Sequence, residues 1–317
     1  MRASTLPVVA VGGWDGFGTT RPNTVRNVRL RHELTSSRWQ TDRVMRRVLR
    51  TWADDAAAFA SELAHLDASW GSETFELAGG RAVLCGPGLY VNRAIAVGLD
   101  GPLSDEQVEL FEARCATVGV SPAVEVTEAT HDSVAPALRA RGYVIDGTTS
   151  ALRRTLDDID ELPPPDTAIR IEPANLELLS VWQEASALGW GHLDPDARHA
   201  SDVFARVAAE VDGDGLVLAS DAADGRPVGC ASLTVRDGVA TLGGMSTLPA
   251  ERGRGVQRAM ILHRLRVARD RGCDVVTSSA VPGGASERNL IRHGFTPWFT
   301  VSTFGRPEPA LAPAPGD

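Results

Sequence analysis

Lysine is absent from the 317 residues, so all 32 basic side chains are arginines. Cysteine is also scarce, and Cys85, Cys115, Cys230 and Cys273 lie far apart in the sequence without a CxxC pair. This spacing excludes a disulfide framework and a cysteine zinc site. It indicates reduced thiols in a cytoplasmic protein, with no metal expected.

Long apolar runs are missing too. No segment approaches the roughly 20 apolar residues that a membrane helix requires. The early stretch Leu6–Val11 is shorter than the apolar core of about 7–15 residues in a secretory signal. The sequence therefore predicts no membrane association.

The formal net charge of −9 is distributed unevenly along the chain. Residues 1–50 contain ten arginines against three acidic residues, a charge of +7, which leaves −16 for the remainder. An acidic body is a poor partner for nucleic acid, whose binding depends on neutralising phosphates, and we expect none. Residues 1–40 show no sustained period and predict a flexible basic extension. We expect this extension to be dispensable. The alternatives are that it binds nucleic acid or a membrane, that it pairs with the acidic body of the same chain, or that the start codon has been placed too early.

The chain length suggests about two domains. Residues 157–168 combine an acidic run with three consecutive prolines, which predicts a linker. Residues 306–317 are rich in Pro and Ala and predict a disordered tail. Two bodies remain, 41–156 and 169–305. Apolar residues at helical spacing over 42–66 predict a core helix of the first body.

The two bodies repeat one order of predicted elements: strand, helix, strand, helix, strand. The glycines that end the first helix of each series, Gly119 and Gly272, are 153 positions apart. Gly142 and Gly294, which precede an aromatic residue, are 152 positions apart. An offset that holds to one residue indicates a duplicated unit.

Residues 243–260, GGMSTLPAERGRGVQRAM, contain the most informative motif. An apolar strand runs through a glycine-containing loop directly into a helix. Glycines let the backbone approach a ligand closely, and a helix N-terminus offers unpaired N–H groups to an anion such as a pyrophosphate. No Lys-Ser/Thr follows the glycines, and no third glycine stands at the dinucleotide-fold spacing. The motif therefore predicts a different kind of phosphate-binding loop.

This loop resembles the coenzyme A loop of the GCN5-related N-acetyltransferase (GNAT) superfamily, whose pattern is Q/R-x-x-G-x-G/A. Arg252 and Gly255 match the pattern, whereas Gln257 stands where Gly or Ala is usual. The ordered strands and helices over 168–305 extend the resemblance. The first body resembles the degenerate half of two-domain members, since residues 101–104 (GPLS) replace the arginine-glycine loop. One working site per chain is expected.

The resemblance implies an α/β fold of tandem GNAT-like domains, each a mostly antiparallel twisted sheet flanked by helices with a splayed central strand pair. It also implies acetyl-CoA or another acyl-CoA as co-substrate, with phosphates on the backbone of the loop and the thioester carbonyl on the strand before it. The residues implied in binding are Met245, Ser246, Thr247, Arg252, Gly253, Arg254, Gly255, Val256, Gln257, Ser286 and Asn289. Ser286 could equally cap a helix.

The catalytic groups are less clearly indicated. Leu290 stands where many GNAT enzymes have a proton-donating tyrosine, and residues 243–245 offer no carboxylate. The segment GWGHLDPDARH supplies His192, Asp194 and Asp196 as candidate bases on the acceptor side. A solvated loop histidine, and proton transfer to water, remain alternatives.

Trp190 and Trp298 are candidate walls of an acceptor pocket, or else core aromatics. Together these features predict an N-acyltransferase that moves an acetyl or acyl group from coenzyme A to the amine of a small molecule by direct attack in a ternary complex. A non-catalytic acyl-CoA-binding protein and an acyltransferase that uses an acyl-carrier-protein donor are the alternatives. The oligomeric state is not indicated.

Overall fold

The computed structural model describes residues 35–192 and 194–307. The helices are α1 (Thr35–Leu66), α2 (Asp105–Val118), α3 (Val134–Ala140), α4 (Leu179–Trp190), α5 (Pro195–Val211), α6 (Val256–Asp270) and α7 (Ala285–Arg292). The strands are β1 (Glu73–Leu77), β2 (Gly80–Leu84), β3 (Arg93–Ile95), β4 (Ala123–Val126), β5 (Val144–Arg154), β6 (Ile169–Pro173), β7 (Leu216–Asp221), β8 (Pro227–Arg236), β9 (Val239–Thr247), β10 (Val275–Ala280) and β11 (Thr296–Gly305).

These strands form one open mixed sheet in the order β1-β2-β3-β4-β11-β5-β10-β9-β8-β7-β6. Two neighbouring pairs are parallel, β3 with β4 and β9 with β10, and the others are antiparallel. Side chains point alternately to the two faces of the sheet along each strand. One face packs against α1, α4 and α5, and the other packs against α2, α3, α6 and α7. The predicted α/β class with a mixed sheet flanked by helices is confirmed.

The series β3-α2-β4-α3-β5 and β9-α6-β10-α7-β11 repeat the same order, as the glycine offsets predicted. The last strand of each series pairs with the other half of the sheet, however. β11 lies between β4 and β5, and β5 lies between β11 and β10. The two halves therefore exchange their final strands, a pairing that the sequence pattern did not reveal.

The helix predicted over 42–66 begins earlier, at Thr35, so it occupies part of the segment assigned to the flexible extension. Residues 1–34 of that segment lie outside the described residues. The helix also belongs to both halves rather than to the first alone. Trp52 donates its indole N–H to Thr241 (3.2 Å) and Thr277 (3.3 Å) of the second half. Asp55 accepts from Arg236 (2.6 Å) on β8.

The segment predicted as a linker, 157–168, lies against the second half. It contains a 3-10 helix at Ile159–Glu161, and Ile159 is buried in the core with α6 and β10. The guanidinium of Arg266 on α6 donates to the carbonyl of Pro163. Most of the predicted tail, residues 308–317, lies outside the described residues. None of the helices described here combines the length and the apolarity that a membrane crossing needs.

Candidate functional site

The site is built on a divergence between two central parallel strands. The pairing of β9 with β10 ends at Leu242 and Ser278, whereas β9 continues to Thr247 and β10 to Ala280. On the other side of β9, the register with β8 skips from the pair Ala231–Met245 to the pair Leu233–Leu242. Gly243 and Gly244 therefore oppose the single residue Ser232, which is a β-bulge. A bulge bends its strand, and here it coincides with the opening between β9 and β10.

The loop after β9 turns through two glycines into the start of α6. Gly253 and Gly255 have φ of 82° and 83°, the left-handed region that side chains rarely adopt. Gly255 caps α6 without a side-chain hydrogen bond, so the first N–H groups of α6 have no capping side chain. The backbone at Gly253 borders open space, because a Cβ there would meet nothing within 4 Å. The predicted residues 252–257 thus form one turn at the open end of the splayed strands.

The arginines around this turn divide into two groups. Arg254, predicted to contact phosphate, directs its guanidinium to Asp221 (2.7 Å) and to the buried Glu251. These two carboxylates raise the pKa of Arg254 above its usual range, and the hydrogen bond that Arg254 donates to Asp221 is the larger cause. Its charge is therefore already balanced, which revises the prediction for its side chain. Arg252 and Arg258 are exposed and have no ion pair among the described residues.

Two predicted coenzyme-contacting side chains are brought together across the opening. Asn289 on α7 donates its amide N–H to Oε1 of Gln257 on α6. Arg292 in turn donates to Oδ1 of Asn289 (2.7 Å). Ser286 lies half-buried in the first turn of α7, and the N-cap residue is Gly284, so Ser286 is not a helix cap. The unusual Gln257 thus links the two helices that flank the diverging strands.

Trp190, predicted to lie on the acceptor side, is next to the bulge, and His192 is in contact with Trp190. A Cβ on Gly244 would come within 3.9 Å of the Trp190 indole. The Trp190 and His192 rings stack with centroids 6.4 Å apart. Nδ1 of His192 is buried and has no hydrogen-bond partner. Burial lowers the pKa of His192, while the nearby Asp194 acts in the opposite direction. The imidazole is therefore held towards its neutral form, in which it can accept a proton.

The other acceptor-side predictions fare differently. Asp194 is the N-cap of α5, where its Oδ1 accepts from the N–H of Ala197 (2.9 Å). Asp196 lies exposed in the first turn of the same helix. Trp298 packs with Val239 and Val275, at the far end of β9 and β10 from the bulge. It therefore lies away from Trp190, in a hydrophobic cluster of the sheet.

The corresponding opening in the first half is closed by its own chain. β3 and β4 pair only at Ala94 and Val124. Beyond β3, Gly98 accepts a hydrogen bond from the N–H of His131 (2.9 Å), and a Cβ on Gly98 would lie 2.8 Å from Val134. Ser104 and Gln107 form a capping box, which occupies the N-terminus of α2. The first half thus lacks the open strand pair and the uncapped helix that the second half presents.

Sequence reasoning missed two arginines near the site. Arg258 follows the loop 252–257 by one position, on α6, and its exposure could have been expected from its place in the first turn. Arg264 is buried on α6 and reaches Gly243 and Met245 of β9. Nothing in the local sequence indicates this burial, because Arg264 lies among other arginines of an amphipathic helix.

Residues 176–295 match the model of the Acetyltransferase (GNAT) family. Residues 176–295 therefore match a domain of that acetyltransferase family, as the resemblance of the loop implied. The matched segment includes the splayed strands, the glycine turn and both flanking helices. A comparison with curated proteins found no match.

Among solved structures, a GCN5-related N-acetyltransferase from Kribbella flavida is similar, with a TM-score of 0.58 and 19% identity. The match covers 82% of this chain and 96% of that one. A tandem GNAT protein from the clavulanic acid biosynthesis pathway matches with a TM-score of 0.52 and 15% identity, over 72% of this chain and 79% of the other. At such identities the likeness establishes the fold alone.

Proposed function

We propose that this protein is an acyl-CoA-dependent N-acyltransferase that transfers an acetyl group from coenzyme A to the amine of a small molecule. The observation that carries the proposal is the opening between β9 and β10 beside the uncapped N-terminus of α6. A helix N-terminus attracts phosphate oxygens, and a strand without a ladder partner offers backbone groups to an amide-containing chain. The closed first half supports a single site per chain.

Different segments of the site bind different parts of the coenzyme. The glycine turn 252–257 holds the phosphates, with the exposed Arg252 and Arg258 adding charge. Residues 245–247 of β9 hydrogen-bond the pantetheine arm and polarise the thioester carbonyl, a role that hydrogen-bond donors fill well in a water-poor site. Gln257 and Asn289 border the arm where α6 approaches α7. The bound coenzyme supplies an activated acyl group.

On the acceptor side, the amine lies against Trp190 and His192. Its nitrogen attacks the carbonyl carbon, a carbon–nitrogen bond forms, and the carbon–sulfur bond breaks with the electron pair leaving on sulfur. The neutral His192 takes the proton that the amine releases. Asp194 contributes indirectly, since it caps the helix that follows His192 and its charge opposes the loss of the imidazole proton.

Thermal unfolding with and without acetyl-CoA tests coenzyme binding. A ligand at 100 times its dissociation constant adds about 2.7 kcal/mol of stability, so a clear rise in Tm is expected. The variant Arg252→Glu should lose most of that rise, because it places an anion beside the phosphates. Arg43→Glu, a charge reversal at an exposed residue of α1 on the opposite face of the sheet, should keep it. No rise in the wild type would refute the proposal.

A second candidate is a non-catalytic acyl-CoA-binding protein. The buried Leu290 on α7 favours it, because the position where many relatives supply a proton donor is filled by an apolar side chain packed in the core. Release of free thiol from acetyl-CoA across a panel of amines separates the two candidates. Binding without thiol release on any amine would select the non-catalytic protein.

A further inference from the structure

Arg264 is a buried cation with no carboxylate partner among the residues that the structure describes. Only 1% of it is exposed. Its Nη1 donates to the carbonyls of Ser232 (2.8 Å) and Gly243 (3.3 Å), and its Nε donates to the carbonyl of Met260 (3.2 Å). Nη2 lies 2.9 Å from the thioether sulfur of Met245. Every one of these partners is formally neutral.

Such a residue is costly to bury. Desolvation lowers the pKa of Arg264 to about 9, and the titratable group acting on it from the sheet is the Cys230 thiol. From its own helix, His263 has its pKa lowered by burial and then by the charge of Arg264. A buried charge without a counter-ion is strongly unfavourable, whereas an apolar side chain would fill the same volume without that cost. Stability therefore does not account for an arginine here.

Arg264 contacts the backbone on both sides of the β-bulge. Ser232 and Gly243, whose carbonyls it holds, are the two sides of the β-bulge where β9 leaves β10. In a trans peptide the carbonyl of one residue and the N–H of the next point in opposite directions. Because the Gly243 carbonyl points to α6, the N–H of Gly244 points away from it, to the side that Trp190 covers. A cation on the carbonyl also polarises the amide and strengthens that N–H as a donor.

We propose that Arg264 is a positioning residue for the thioester. It holds and polarises the Gly243–Gly244 peptide from behind the sheet, so that the Gly244 N–H joins residues 245–247 in donating to the thioester oxygen as negative charge develops there. The inference rests on the proposed function. Because no carboxylate of the described residues acts on Arg264, its field is available to that developing charge.

The test is isotope-edited infrared spectroscopy of acetyl-CoA carrying ¹³C at the thioester carbonyl, bound to the full chain without an acceptor. A donor that polarises the carbonyl lowers its stretching frequency relative to free acetyl-CoA. The wild type should show this lowering, and Arg264→Gln, which has the amide donors but no charge, should lose most of it while still binding acetyl-CoA. Arg269→Gln, an exposed arginine on the same helix, is the matched control and should resemble the wild type.

Turnover supplies the second readout once an acceptor is found. Arg264→Gln should lower kcat by roughly 10- to 100-fold, with the KM for acetyl-CoA changed far less, because the lost interaction strengthens only in the transition state. If the glutamine variant does not fold, Arg264→Lys replaces it: one ammonium cannot hold both carbonyls equally well, so a smaller frequency shift is expected. An unshifted band in the wild type, or an unchanged band in the folded variant, overturns the inference while coenzyme binding stands. Failure of the wild type to bind acetyl-CoA overturns the proposed function instead.

Discussion

The exchange of final strands predicts that one side chain of the second half stabilises the core of the first. Phe304 lies on β11 and is 2% exposed. It packs in the cluster that contains Leu84, Phe111 and Leu138, all of the first half. The guanidinium of Arg139 also lies over its ring, 5.2 Å from the centroid. Phe304→Ala should therefore loosen α2 and α3, which lie far earlier in the sequence.

The magnitude follows from burial. Replacing a fully buried phenylalanine by alanine costs about 3–5 kcal/mol, through lost transfer free energy and the cavity left behind. Domains are stable by about 5–15 kcal/mol, so the loss is a large fraction of the total. Urea unfolding measures the free energy, and amide hydrogen exchange followed by mass spectrometry shows where protection is lost. Peptides from 105–118 and 134–140 should exchange faster.

Phe295→Ala is the matched control. Phe295 immediately precedes β11 and is 1% exposed, but it packs with Ile261 and Leu290 in the core of the second half. The same chemical change nine positions earlier should therefore affect peptides from 256–270 and 285–292. If both variants lose protection in the same segments, or if Phe304→Ala spares the first half, the strand exchange is refuted.

Four further predictions concern the site. Gly229→Ala should cost about 1–3 kcal/mol in urea unfolding, because its Cβ would lie 2.7 Å from the backbone carbonyl oxygen of Ser246 on β9. Full stability would contradict the close approach of β8 and β9 there. Acyl transfer should fall as the pH drops through the lowered pKa of His192, since the protonated ring cannot act as a base. His192→Gln should remove that limb of the pH–rate profile. Asp194→Ala should lower stability by about 1 kcal/mol in thermal unfolding, whereas Asp194→Asn should retain it, as expected of a helix cap. If the asparagine variant loses activity with an unchanged Tm, Asp194 has a direct role in the reaction instead. The pKa of Glu251 is lowered, first by the hydrogen bond that it accepts from Arg226. The stability that Glu251 contributes is therefore present above its unfolded-state pKa of about 4.3 and is lost as the pH falls through the lower folded-state pKa. Glu251→Gln should flatten that part of the pH dependence of Tm.

Several features were predictable because they depend on neighbours in the sequence. The glycine turn and the start of α6 lie within a few residues of one another, so left-handed glycines and an uncapped helix followed from the motif itself. The capping box joins Ser104 to Gln107, three positions later. The order of strands and helices in each half followed from periodicity and from helix-ending glycines.

The sequence alone could not reveal which groups meet across the sheet. The carboxylates that engage Arg254 include Asp221, on a different strand. Trp190 and Trp298 looked equivalent as pocket walls, yet only Trp190 lies beside the bulge. In the sequence, Arg264 cannot be distinguished from the other arginines of its helix, but in the structure it is buried against the bulge.

The absence of lysine and the choice of arginine at every basic position are properties of the sequence, and the glycine turn before α6 was determined there as well. Which arginines remain unpaired beside that turn, and which one is buried behind the strand, was decided only by the tertiary structure. The physical reason is the sequence separation of the interacting residues. Backbone conformation and helix capping depend on residues a few positions apart, whereas strand exchange, burial and charge pairing depend on residues that the fold brings together from distant parts of the chain.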